Sequence, residues 1–184
     1  MLRNNIKKET VDIHRYVENL PIMKHIMSKT VNPESYINYL NQIYHIYSAI
    51  ENNPLYLKLG WNIFLSKRHS NDIKSLESKY NISTKNVLPI TKIYCSYIEN
   101  IKDPNTIAAH CYVRYMADLM GGKIIARKLP DDWSKTAYET NRNKAKIITD
   151  YINEKITNEA LFSSEVHNCF LSHASILHDC NKFI

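Results

Sequence analysis

The stretch TIAAHCYVRYMADLMGGKIIARK, Thr106 to Lys128, decides how this chain folds. It keeps helical spacing from end to end, and Pro130 stops it. From Thr106 to Gly122 it is apolar almost all round, with Ile107, Ala108, Cys111, Tyr112, Val113, Tyr115, Met116, Leu119 and Met120. A helix that is apolar on every side is a buried one, so this segment predicts the centre of an all-α assembly. Two of the chain's three glycines, Gly121 and Gly122, nevertheless stand side by side within it. In an exposed helix interior each glycine costs about 1 kcal/mol relative to alanine, so the pair costs about 2 kcal/mol. Three uses would offset that cost: a C-cap, a close crossing by another helix, or a flat ligand lying against bare backbone. KIIARKL continues the helical pattern past the pair, which disfavours the cap and predicts a kink.

Arg114 and Asp118 are four residues apart and share one face of this otherwise apolar helix. A buried ion pair adds little stability, because desolvation offsets most of the attraction. The edge formed by Arg114, Asp118, Gly121 and Gly122 therefore joins a carboxylate able to organise water to a backbone open to close approach. A paired charge at the rim of the core is the structural alternative.

Working outward, the remaining segments also read as helices. In IKKETVDIHRYVENL, Ile6, Ile13, Val17 and Leu20 fall on one stripe. Asn32 and Pro33 open a helix as N-cap and first residue, and Tyr36, Leu40, Ile43, Tyr47 and Ile50 form its core stripe. Asn38, Gln42, His45 and Ser48 lie on its other side. Residues 52–90 hold short helices around Pro54, Gly60 and Pro89. TKIYCSYIENI is helical, DDWSKTAYETNRNKAKIITDYINEKI is read as one helix with acids in its first turn, and SSEVHNCFLSHASILHDC closes the series. No repeat, low-complexity run or strand pair interrupts this pattern. One all-α domain over 1–184 is expected, with short connections.

Composition narrows the function classes. No apolar run is long enough to span a membrane, and MLRNNIKKETV has no apolar stretch after its basic residues, so neither anchor nor secretory signal is expected. The four cysteines, Cys95, Cys111, Cys169 and Cys180, form no C-x-x-C pair, as reduced thiols of a cytoplasmic protein would not. A net charge of +6 and a pI near 9.0 favour acidic partners.

Eight histidines offer candidate ligands. His45, His25 and His69 are read in hydrophilic surroundings, and His110 and His173 as hydrogen-bonded core residues. His14 differs, because it borders the apolar stripe of the first helix and Glu18 follows one turn later. A carboxylate there can hold one ring nitrogen and leave the other free for a metal. Lys7 lies about 10 Å back along the same face, by the helical rise, where it could meet an anionic group at the edge of a large ligand. A di-metal carboxylate bundle would need Glu-x-x-His pairs, and no Glu or Asp has a His three residues later.

These residues resemble the heme oxygenase family. YVRYMADLMGG, Tyr112 to Gly122, is similar to the family's distal-helix signature Y-x-R-Y-x-x-D-L-x-G-G. IYHIYSAIE resembles a second recurrent segment, and IKKETVDIHRYVENLPIM the N-terminal helix bearing the heme ligand. The resemblance covers nearly the whole chain and is weakest between Asn52 and Asn86. It implies a single-domain helical bundle with a kinked distal helix. Heme b would be both cofactor and substrate, cleaved with O2 and reductant to biliverdin, carbon monoxide and ferrous iron.

Position by position, the resemblance implies that His14 is the axial iron ligand, with Glu18 behind it. Gly121 and Gly122 would let the distal helix approach the ring. Asp118 would anchor the proton-delivering water, with Arg114 and Tyr112 supporting that network and the propionate side. Arg142 and Lys146, one turn apart on a later helix, would face the propionates together with Lys7; a solvated basic face is the alternative. Phe170 and His173 match positions lining the distal pocket. A neutral imidazole suits ring oxygenation, because a thiolate would push electrons toward O–O cleavage. Electrons would come from a ferredoxin or flavoprotein reductase steered by the basic surface, acting on a monomer. The family usually has Gly at Ala117 and a small polar residue at Met120. Those departures leave open a non-catalytic heme-binding or heme-sensing protein on the same fold. A helical interaction domain without cofactor, its glycines serving only packing, is the third reading.

Overall fold

A computed structural model describes residues 2–139 and 143–184. Ten α-helices follow in chain order among them: α1 (Leu2–Glu9), α2 (Val11–Glu18), α3 (Pro21–Met27), α4 (Pro33–Asn52), α5 (Pro54–Lys58), α6 (Ser66–Tyr80), α7 (Pro89–Asn100), α8 (Pro104–Ala126), α9 (Lys144–Lys155) and α10 (Glu159–Asp179). No strand occurs among the described residues. Prolines punctuate the chain: α3, α4, α5, α7 and α8 each begin on one, where the missing N–H is not needed and φ is already helical. Asn32 caps α4 by accepting from the Ser35 amide at 2.8 Å, and Asp103 caps α8 through the Thr106 amide at 2.9 Å.

Helix α4 is the hub. It packs on α6 and α7, while α8 lies along α10 and also meets α9. The stripe Tyr36, Leu40, Ile43, Tyr47 and Ile50 is buried as expected. Asn38 and Gln42, expected on the opposite side, are buried too. Their side chains are consumed by the extended segment before α7: Asn38 accepts from the Lys85 amide at 2.6 Å, and Gln42 from the Leu88 amide at 3.0 Å. Helix α4 is covered on both flanks, and its polar residues serve a segment that lacks backbone partners of its own.

Two boundaries differ from the sequence reading. The first helix is divided at Thr10, whose hydroxyl bonds back to the Ile6 carbonyl at 2.8 Å and competes with regular helix. The segment after Pro130 does not start a helix at its acids. The buried Asp72 carboxylate of α6 takes bonds from Ser134, from the Thr136 amide and hydroxyl, and from the Ala137 amide, the last at 2.9 Å. Residues 131–139 wrap that carboxylate as turns and a single 3-10 turn, Thr136–Tyr138, and the helix begins only at Lys144. No described helix is long and apolar enough to cross a membrane.

Candidate functional site

Helix α8 runs uninterrupted through Gly121 and Gly122, and the two glycines do different work. A Cβ on Gly122 would stand 2.9 Å from Cδ1 of Tyr138. The buried Tyr138 ring therefore sits on the helix backbone where only glycine leaves room. A Cβ on Gly121 would meet nothing within 4 Å among the described residues. Around it, Ala117, Met120 and Ile124 are exposed, the latter two by 46% and 48%. Positions 117, 120, 121 and 124 share one helix face, so α8 leaves a strip of apolar side chains and bare backbone uncovered.

Helix α10 supplies the floor beside that strip. Both α2 and α8 pack against it. Phe170 meets the His14 ring edge-on, with centroids 5.9 Å apart. One turn later His173 accepts at Nδ1 from the Arg114 guanidinium at 2.7 Å. Phe170 and His173 thus touch α2 and α8 in turn. His14 is 56% exposed, and its Nδ1 lies 3.3 Å from the Glu18 carboxylate. With Nδ1 turned to the acid, Nε2 is the nitrogen left for a ligand.

Behind the strip lies a buried polar core. Tyr47 of α4 donates its hydroxyl to the Asp118 carboxylate, and that hydroxyl is also 3.1 Å from the Arg114 carbonyl. Burial pushes the Asp118 carboxyl up, while the Tyr47 bond and the Arg114 charge hold it down. The Arg114 guanidinium stands over the Tyr47 ring, 5.6 Å from its centroid, and its Nε is buried without a partner among the described residues. The Tyr47 ring in turn stacks on His69 at 5.3 Å. His69 corrects the sequence reading of hydrophilic surroundings: it is 1% exposed, both ring nitrogens lack partners among the described residues, and burial drives its pKa down to about 3. The misreading arose because its helix is polar in composition, yet its buried face meets α4.

Tyr47 was legible only as a core residue, since nothing local in its helix announces a carboxylate 71 positions away. His110, expected as a bonded core histidine, is one: Tyr94 lies 2.7 Å from Nδ1 and Glu165 lies 3.0 Å from Nε2.

Of the cations assigned to the propionate side, Lys7 is exposed and has no ion pair among the described residues. Lys146 is exposed and pairs with Asp150 at 2.6 Å. Arg142 lies outside the described residues. The elements carrying Lys7 and Lys146, α1 and α9, pack together. Tyr112 tilts against Phe162 at 6.0 Å; burial raises its hydroxyl's pKa, and a bond from Arg3 of α1 partly offsets this.

An imidazole backed by an acid, a bare glycine backbone and a half-buried carboxylate thus stand on two helices that both pack against α10. A family model described as heme oxygenase matches residues 1–165. The chain belongs to the heme oxygenase family. Heme oxygenase 1 of Gallus gallus is 28% identical over 134 residues, 66% of this chain and 45% of that protein. The heme oxygenase of Porphyra purpurea is 29% identical over 136 residues, 68% of this chain and 58% of that protein. The chain spans about half the length of these curated relatives.

Solved heme oxygenases share the fold. That of Leptospira interrogans superposes with a TM-score of 0.81, at 22% identity, covering 97% of this chain and 98% of its own. The heme complex of heme oxygenase-1 from Synechocystis sp. PCC6803 gives 0.79 at 18% identity, over 97% of this chain and 91% of that one.

Proposed function

We propose that this chain binds heme b between α2 and α8 and cleaves it, with O2 and external electrons, to biliverdin, carbon monoxide and ferrous iron. The observation that carries this reading is the uncovered strip at Ala117, Met120, Gly121 and Ile124, beside a histidine whose Nδ1 is held by an acid. A flat apolar macrocycle matches bare backbone and exposed methyl groups better than a peptide or nucleotide does. Curated relatives named heme oxygenase, and solved relatives described in complex with heme, support the same ligand.

The residues present fit the group. His14 would hold the iron through Nε2, with Glu18 fixing the ring. Gly121 would let α8 lie against the porphyrin, and Gly122 would keep α8 in place by accommodating Tyr138. Ala117 points its one methyl to the open face, where the family usually has glycine. Arg3 and Lys7 on α1, with Lys146 and Arg142, would meet the propionates. Phe170 would line the ring edge.

Bound heme supplies redox-active iron and the carbon that is oxidised. The chain's part is to exclude bulk water and to hold a proton source. Asp118 is half-buried, accepts from Tyr47 and stands near Arg114, so it can anchor a water and move a proton through it. Electrons would come from a ferredoxin or flavoprotein reductase drawn to the +6 surface, with the protein acting as a monomer.

Hemin turnover with a flavoprotein reductase and air tests the reading. A bilin separable by chromatography is expected. A stable Soret band with no bilin would favour a heme-binding or sensing role, and no Soret band would remove both.

A further inference from the structure

The contact between Arg114 and His173 fixes which imidazole nitrogen carries the proton. A guanidinium carries only donors. At 2.7 Å from an Arg114 terminal nitrogen, His173 Nδ1 must therefore present its lone pair. The imidazole is neutral, and its one proton resides on Nε2. That Nε2 has no hydrogen-bond partner among the described residues and is not sealed from solvent. His173 is half-buried on α10, one turn from Phe170, which touches His14, and it contacts α8 through Arg114. His173 thus stands between Arg114 of α8 and Phe170 beside His14, with its Nε2 edge reaching solvent.

We propose that His173 is a hydrogen-bond donor to small anions and diatomic ligands entering the cleft, and that Arg114 is the positioning residue that fixes its Nε2–H tautomer. The proposal rests on the heme reading above. It assigns the Arg114 guanidinium a task apart from Asp118: it does not neutralise the acid alone but sets the polarity of a second group facing the ligand. Were the proton on Nδ1 instead, Nε2 would turn a lone pair toward an incoming anion and repel it. The Arg114 contact excludes that arrangement.

Two measurements test the proposal separately. The first uses the protein without hemin: nitrogen-15 correlation spectra of the histidine rings. His173, assigned by its loss in His173→Asn, should show a protonated Nε2 and an unprotonated Nδ1. Arg114→Leu should release it to a mixture of tautomers. A protonated Nδ1 in the wild type would overturn the proposal whatever the fate of the heme reading.

The second uses hemin-loaded ferric protein and fluoride, an anion that accepts hydrogen bonds and donates none. His173→Leu should raise the fluoride Kd about tenfold, the scale of one lost hydrogen bond. His173→Asn, which keeps an N–H donor, should recover most of it. Unchanged fluoride affinity in His173→Leu with an intact Soret band would overturn the donor role and leave the heme reading standing. Failure of the wild type to form a Soret band would overturn both.

Discussion

Gly121→Ala and Gly122→Ala add the same methyl to adjacent residues of one helix, and the structure gives them opposite signs. Each gains about 1 kcal/mol of helix propensity. At Gly121 nothing among the described residues lies within 4 Å of the new carbon, so the gain is kept. At Gly122 the carbon would stand 2.9 Å from Tyr138 Cδ1 and 3.6 Å from its Cβ, where carbon atoms prefer about 3.5–4.0 Å. Tyr138 has little freedom to yield: it is buried, its hydroxyl accepts from Tyr36 at 3.3 Å, and its ring meets His69 edge-on. Such overpacking costs about 1–3 kcal/mol. The net at Gly122 is a loss of up to about 2 kcal/mol, against a gain of up to about 1 kcal/mol at Gly121. For a chain of this size 1 kcal/mol moves Tm by about 2–4 °C. Differential scanning calorimetry without hemin should therefore show Gly121→Ala melting higher than wild type and Gly122→Ala melting lower. Hemin titration should reverse the order for Gly121→Ala, because its methyl occupies the face a macrocycle would use. Equal Tm shifts for the two variants, or hemin affinity unchanged in Gly121→Ala, would refute this division of labour.

His14→Ala should abolish the histidine-type spectrum of the hemin complex while leaving the hemin-free Tm almost unchanged, since the side chain is largely exposed; optical titration and calorimetry on the same sample check both. Tyr47→Phe strips Asp118 of its hydroxyl donor and should cost about 1–3 kcal/mol in urea unfolding, with slower bilin formation at retained hemin affinity. The His110–Glu165 pair should make stability pH-dependent on the alkaline side. Burial alone would lower the His110 pKa, but Cys169 and Glu165 more than offset it and hold it at about 9, above the free value near 6.5. A raised folded pKa means that the stabilisation is full below about pH 6.5 and is lost as pH rises through about 9. Urea unfolding should lose up to about 3 kcal/mol across that window, a slope that His110→Phe should flatten.

The helical class could be read from the chain directly, because its apolar residues recur at helical steps and five prolines fall where helices begin. The sequence also singled out His14 with Glu18 and Arg114 with Asp118, since each pair sits one turn apart on a single helix and so is a local fact. The tertiary structure alone decided the rest. That Gly122 serves Tyr138 while Gly121 stays bare depends on a loop wrapped around Asp72, far away along the chain. That Asp118 is held by Tyr47, and Arg114 turned to His173, depends on helices 59 and 71 positions apart meeting in space. His69 was misread for the same reason: a residue's burial is set by what packs on its face, and a polar neighbourhood in sequence does not reveal an aromatic ring stacked upon it. Helical periodicity reports which side of a helix is buried, but only packing reports which side chains meet there.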